Sequence, residues 1–134
     1  MNLINWTETE ICGVKEIDDQ HVKIVEIANE LYNNLGTSKR WKLESLMNEL
    51  VVITKQHFIT EEKLMTDHKF INYYSHKLEH DSFLNKVLSF KDKFDRKEVD
   101  VNLKFLQTLK TWMENHLELN DKKCCVFLNE NGVF

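Results

Sequence analysis

The sequence predicts an all-α protein, an up-down-up-down four-helix bundle with short N- and C-terminal arms. Three observations predict it. The 134 residues include no proline and only three glycines, where average usage is about 5% and about 7%. Sandwiches and barrels draw on those residues for their many turns. Apolar residues recur at steps of three and four in four successive segments, the mark of one helix face. The connections between segments are short, so neighbours pack antiparallel.

The first segment carries Ile17, His21, Ile24, Ala28, Leu31, Tyr32 and Leu35. Asp18 is its expected N-cap, and Gly36 stands where a C-terminal glycine belongs. The second follows Thr37 and Ser38, either of which could cap it. Its stripe is Leu43, Leu46, Leu50, Ile53, His57, Glu61 and Leu64. The third runs Tyr73, His76, His80, Phe83, Val87, Phe90 and Phe94, with Asn72 as its expected N-cap. The fourth begins near Val99 to Asp100 and carries Phe105, Leu109, Trp112 and His116, with Leu106 and Met113 beside them. At ~18–28 residues each, the helices should be ~27–42 Å long. The first 16 residues and the last dozen read as flanking arms. No linker or repeat divides the chain, so residues 1–134 are expected to form one domain.

Bulk properties narrow the function. Hydrophobic residues make up 42% and charged residues 30%, too apolar for a disordered chain. The net charge is −4 and the pI about 5.9. No basic stripe invites nucleic acid or an anionic membrane. The N-terminus has no basic and apolar leader pattern. The longest apolar run, Cys124 to Leu128, is far short of the ~20 residues of a membrane span. Cys12, Cys124 and Cys125 are odd in number and two are adjacent, which is not a disulfide framework. Reduced thiols and a cytoplasmic location are the expectation.

Polar residues occupy core positions. His21, His57, Glu61, His76, His80 and His116 all fall on apolar stripes. One buried histidine is ordinarily a hydrogen-bonded core residue. Six such groups together, each costing a few kcal/mol if unpaired, need a common partner, and a metal is that partner. His57 and Glu61 are i, i+4 on one face, as are His76 and His80. His116 and Asp121 are i, i+5, so Asp121 is expected at or past the last turn, reaching back. In an up-down-up-down bundle all of these positions lie toward the same end. His68 lies ~16 Å along the axis from His57 and cannot join them. It reads as a helix-end residue.

Five imidazoles and two carboxylates exceed the donors one octahedral ion accepts. Two metals bridged by Glu61 and Asp121, with one further bridging oxygen, leave a single position open for a small ligand. Imidazole suits iron, copper, nickel and zinc, and bridging carboxylates with redox chemistry favour iron. The carboxylate-rich di-iron bundles use four glutamates and two Glu-x-x-His motifs. This chain has neither, and its mostly neutral donors should temper oxidative power.

These residues resemble the hemerythrin family, specifically its stand-alone bacterial type. The resemblance spans nearly the whole chain. It includes Trp6, Gly13, Ile17-Asp18-Asp19-Gln20-His21 and His57-Phe58-Ile59-Thr60-Glu61-Glu62 with Met65. It continues with Tyr73 or Tyr74, His76-x-x-x-His80, Phe83, Trp112-x-x-x-His116 and Asp121. It implies a non-haem di-iron centre that binds O2 reversibly. One iron would be held by His76, His80 and His116. The other would be held by His21 and His57 and would keep the open position. Glu61 and Asp121 would bridge, with an oxo or hydroxo group between the irons. Phe58, Trp112 and Met113 flank ligands and are candidates for the apolar wall of an O2 pocket, or else ordinary core. The family often has leucine where Met113 stands, and methionine is flexible and oxidisable. A leakier pocket and faster autoxidation are expected. The segment before the third helix lacks the proline often seen there, and Asn72 lies nearby; no function is attached to this.

Three roles compete. One is an O2-binding protein for storage, delivery, scavenging or sensing, with an unidentified protein partner left open. The second is a di-iron enzyme acting on peroxide or nitric oxide, or an iron donor in cluster repair, with Cys12 as weak support. The third is a metal store. A sensor is expected to carry an output domain, and none is expected within these 134 residues. Cys124 and Cys125 are expected to be packed residues of the C-terminal arm, and Glu62 a solvated helix residue rather than a ligand.

Overall fold

The computed structural model describes residues 2–5 and 11–134, apart from the side chain of residue 118. Trp6, one of the residues carrying the family resemblance, lies outside the described residues. The elements are α1 (Lys15–Asn33), α2 (Arg40–Asp67), α3 (Tyr73–Asp95), α4 (Leu103–Asn115), a π-helical turn (His116–Asp121) and α5 (Lys122–Glu130). Helices are the regular elements among the described residues, as the missing prolines and sparse glycines predict. α4, the π-turn and α5 run end to end. Asn115, His116, Asp121 and Lys122 all keep right-handed helical angles, so they form one rod, the fourth of the bundle.

Several ends differ from expectation. Val14 precedes α1, and Asp18 sits inside its first turns. The Asp18 carboxylate instead accepts the backbone N–H of Cys12 at 2.7 Å and of Gly13 at 3.1 Å. It ties down the incoming chain rather than capping the helix. Neither Thr37 nor Ser38 caps α2; Lys39 holds that position without a side-chain bond. Asn72 does hold the position before α3, but its side chain makes no capping bond. The fourth helix starts later than expected, at Leu103, where the Asn102 side chain accepts the Phe105 N–H at 2.9 Å. Lys69 and Lys97 have positive φ, and the following N–H groups bond back to Met65 and Lys93. These six-residue closures stop α2 and α3 without glycine.

α1 packs on α2, α2 on α3, and α1 on α4. Two apolar clusters fill the interior. The larger includes Ile24, Leu31, Leu50, Phe58, Phe83, Phe94, Leu106 and Met113. The smaller joins Val14, Ile17, Met65, Phe70, Cys124, Cys125 and Leu128. Along α1 His21 lies between Ile17 of the smaller cluster and Ile24 of the larger, along α2 Glu61 lies between Phe58 and Met65, and along the fourth rod Asp121 lies between Leu117 and Cys124. The polar layer is therefore roofed as well as floored by apolar side chains.

The roof corrects two expectations. The last dozen residues are not an arm, because α5 extends the bundle through Glu130. The cysteines are not all reduced, because Cys12 and Cys125 form a disulfide with Cα atoms 5.5 Å apart. Cysteine count and spacing concealed it, because the partners are 113 residues apart and meet only through the fold. Gly13, next to Cys12, has φ +94°, and an added Cβ would lie 2.8 Å from Asn129 Oδ1 on α5. Asn129 Nδ2 donates to the Gly13 carbonyl at 3.2 Å. The Cys12–Gly13 segment entering α1 and α5 thus close the roof together. Cys124, in the same layer, is a buried free thiol, and burial pushes its pKa up.

Candidate metal centre

Four rods deliver the seven sequence-predicted donors to one layer. His21 comes from α1, His57 and Glu61 from α2, His76 and His80 from α3, and His116 and Asp121 from the two ends of the π-turn. All are buried, His76 the least so at 5% exposed. The π-turn accounts for the His116 to Asp121 spacing. Its hydrogen bonds run i to i+5, so residues five apart share a direction. Asp121 does not reach back from beyond a helix end; the helix widens there and carries it inward. His68 follows α2 as its C-terminal cap, part exposed and outside this cluster.

The donors divide into two groups that share the carboxylates. Glu61, His76, His80, His116 and Asp121 offer atoms within 4.8 Å of one another, and so do His21, His57, Glu61 and Asp121. Each shared carboxylate gives one oxygen to each group. Asp121 Oδ1 lies 2.7 Å from His116 Nε2 and 3.0 Å from His76 Nε2. Asp121 Oδ2 lies 2.8 Å from His21 Nε2 and 3.4 Å from His57 Nε2. Glu61 Oε1 faces His76 Nε2 closely and His80 Nε2 at 3.5 Å, while Oε2 lies 3.1 Å from His57 Nε2.

The chemistry of the layer fits metal ions better than protons. Glu61 Oε1 and Oε2, His76 Nε2 and Asp121 Oδ1 are buried without a hydrogen-bond partner. Orphaned polar atoms of this kind cost ~1–3 kcal/mol each. Imidazole nitrogens also converge on one another, with His21 and His57 Nε2 at 3.2 Å and His80 and His116 Nε2 at 3.1 Å. Inward lone pairs at such distances call for a cation between them. In its absence the charge is held by protons. Burial opposes ionisation of His57, but the Glu61 and Asp121 carboxylates outweigh it and raise its pKa to about 9. The same opposition raises His76 to about 10. Burial and mutual repulsion work against Glu61, yet the facing histidines hold its carboxyl below the usual range. Burial likewise opposes Asp121, and His116, His21 and His57 bring it well below.

Outward nitrogens meet a second layer that sequence reasoning missed. His57 Nδ1 donates to Gln20 Oε1 at 3.0 Å, and Gln20 Nε2 donates to Thr60 Oγ1 at 3.0 Å. His80 Nδ1 donates to Glu62 Oε2 at 3.0 Å. His116 Nδ1 lies 3.4 Å from Glu79 Oε2, which also accepts Asn120 Nδ2 at 2.5 Å. Glu62 is therefore not simply solvated; its side chain is 19% exposed and holds a ring of the cluster. Adjacency was the available signal, since Gln20, Glu62 and Glu79 each neighbour a donor in sequence. With the Gln20, Glu62 and Glu79 oxygens accepting outside, the Nδ1 positions of His57, His80 and His116 carry hydrogen, which leaves Nε2 as the nitrogen each ring offers a metal ion once any proton there is displaced.

The three expected wall residues differ in setting. Phe58 is buried and stacks on the His80 ring, centroids 3.9 Å apart. Met113 is buried in the larger core cluster. Trp112 stacks on His116 at 4.3 Å and on Phe83 at 3.7 Å. It also borders an open cleft of about 420 Å³ with Leu78, Glu79 and Ser82, so one side of it faces outward.

Comparison with known proteins points to one family. Residues 12–124 match the family model described as the hemerythrin HHE cation binding domain. A bacteriohemerythrin of Methylococcus capsulatus is 29% identical over 123 residues, 91% of this chain and 94% of that protein. A bacteriohemerythrin of Clostridium acetobutylicum is 32% identical over 127 residues, covering 88% of this chain and 95% of that protein. A crystal structure of wild-type hemerythrin matches with a TM-score of 0.89 at 28% identity, covering 94% of this chain and 98% of that one.

Proposed function

This chain belongs to the hemerythrin family, and from that premise we propose that it binds O2 reversibly at a non-haem di-iron centre. One observation carries the proposal: Asp121 directs one oxygen to His76 and His116 and the other to His21 and His57, and Glu61 directs one oxygen to His76 and His80 and the other to His57. His76, His80 and His116 would hold one iron, and His21 and His57 the other. Glu61 and Asp121 would bridge them, with an oxo or hydroxo group completing the bridge. The pair, when bound, supplies the two electrons that O2 takes up and returns.

The protein's own residues do the rest. Glu61 and Asp121, held ionised by their histidines, balance the metal charge. Their burial between two apolar clusters keeps bulk water from the donor atoms. Such enclosure suits a small ligand such as O2 rather than a larger substrate. Phe58 and Met113 are the buried candidates for the pocket wall, with Trp112 closing it toward the surface. Residues 1–134 are taken as one unit with this function. Among the described residues no helix is long and apolar enough to cross a membrane. A cytoplasmic location belongs to the same proposal. The Cys12–Cys125 bond runs against the reduced thiols expected in that compartment, so the state of the pair in cells tests the location.

The test is optical. The anaerobic, reduced, iron-loaded protein is exposed to O2 and then to vacuum. Charge-transfer bands that appear and disappear over repeated cycles support a carrier. Bleaching to a stable oxidised form with peroxide turnover would instead identify an enzyme. Bound zinc without iron bands would defeat both.

A further inference from the structure

We propose that Glu62 and Glu79 strengthen His80 and His116 as metal donors, so that the three-histidine group takes up its ion first. The inference rests on the two-metal reading above. The outer partners of His80 and His116 are carboxylates, whereas that of His57 is a neutral amide. His80 is backed by the Glu62 carboxylate at 3.0 Å, whose other oxygen lies 3.4 Å from Lys77 Nζ. His116 is backed by the Glu79 carboxylate, itself fixed by Asn120. His57, in the other group, is backed by the neutral Gln20 amide, fixed by Thr60.

A hydrogen bond from Nδ1–H to an anion pushes electron density onto the ring more than one to an amide does. Nε2 of His80 and His116 therefore becomes the stronger base toward a metal. The same bonds hold each ring in the orientation that aims Nε2 inward. Neither glutamate is among the residues that could themselves hold the ions. They are positioning residues, acting through the imidazoles. Both are reachable from solvent, with side chains 19% and 46% exposed, so replacing them does not disturb the core.

The experiment titrates the metal-free full chain with Co²⁺ under anaerobic conditions, reading heat and the visible bands of the bound ion. Wild type should bind two Co²⁺ in two separable steps. Glu62→Gln and Glu79→Gln keep shape and an acceptor oxygen but remove the charge. Each should weaken the first step ~10–100-fold, the usual effect of losing an outer partner, and leave the second within a few-fold. Gln20→Glu should strengthen the second step and narrow the gap. Equal weakening of both steps, or no change in either, would overturn the inference while leaving two metals in place. Fewer than two Co²⁺ bound by wild type would overturn it together with the two-metal reading.

Discussion

Opening the Cys12–Cys125 bond should lower stability substantially without removing a single heavy atom. The bond closes a loop of 113 residues. The chain-entropy relation assigns about 5 kcal/mol to a loop of that length, and native pairs commonly contribute about 2–4 kcal/mol. Unfolding entropy of about 2.1 cal/mol/K per residue, over 134 residues, gives about 280 cal/mol/K. The expected loss is therefore on the order of 10 °C in Tm. The assay is thermal melting of the metal-free protein, oxidised and after treatment with a thiol reductant. Cys12→Ala should melt with the reduced wild type and gain nothing further from reductant. Cys12 is the suitable partner to replace because it is part exposed, whereas Cys125 is buried. Melting temperatures that agree within ~2 °C across all three samples would refute the staple. The roof over the donor layer would then be held by packing and the Gly13–Asn129 contact alone.

Thr54→Val should stabilise the metal-free protein by ~1–3 kcal/mol, because the buried Thr54 hydroxyl has no partner and valine matches its shape; urea melts that show a loss would contradict this. The metal-free protein should lose stability as pH rises from about 6.5 through 9 to 10. His57 and His76 have folded pKa values raised to about 9 and about 10, so their contribution is complete below the unfolded value and gone above the folded one. Each loses about 1.4 kcal/mol per pH unit inside that window. Metal affinity should move the opposite way and rise over the same window, since binding displaces those protons; parallel trends in denaturation and Co²⁺ titration would be inconsistent with protonated histidines. The lowered Glu61 and Asp121 groups act at the other end, with stability falling as acid protonates them below the usual carboxylate range. Met113→Leu should lengthen the lifetime of the oxygenated form in stopped-flow absorbance, and an unchanged lifetime would sink the role given to Met113.

Much of the fold and most of the inner site were legible because both follow from helical periodicity. Apolar steps of three and four placed four stripes, and polar residues interrupting them marked one layer. His68 could be set aside from the cluster by axial distance alone. What escaped was set by events that periodicity does not encode. The i, i+5 pair His116 and Asp121 looked like a helix ending, because a regular α-helix turns those residues apart. The π-turn removes that conflict, and the spacing was itself its signature. The continuation into α5 was hidden for the same reason. The Cys12–Cys125 bond joins opposite ends of the chain, so no local spacing announces it. Asp18 seemed a cap because aspartate favours that position, but its carboxylate serves the preceding backbone instead. Glu62 was expected to be solvated and spacing attached no role to Gln20 or Glu79, since their partners sit on the outer edges of rings whose inner edges drew notice.

The central claim is that two carboxylates are shared between a three-histidine and a two-histidine group, one oxygen to each. Anomalous diffraction at the iron edge from crystals of the iron-loaded protein tests it most directly. Two iron peaks are expected, one among His76, His80 and His116 with Glu61 Oε1 and Asp121 Oδ1. The other is expected beside His21 and His57 with Glu61 Oε2 and Asp121 Oδ2. A single peak, or two peaks with either carboxylate bound to one iron only, would contradict the account.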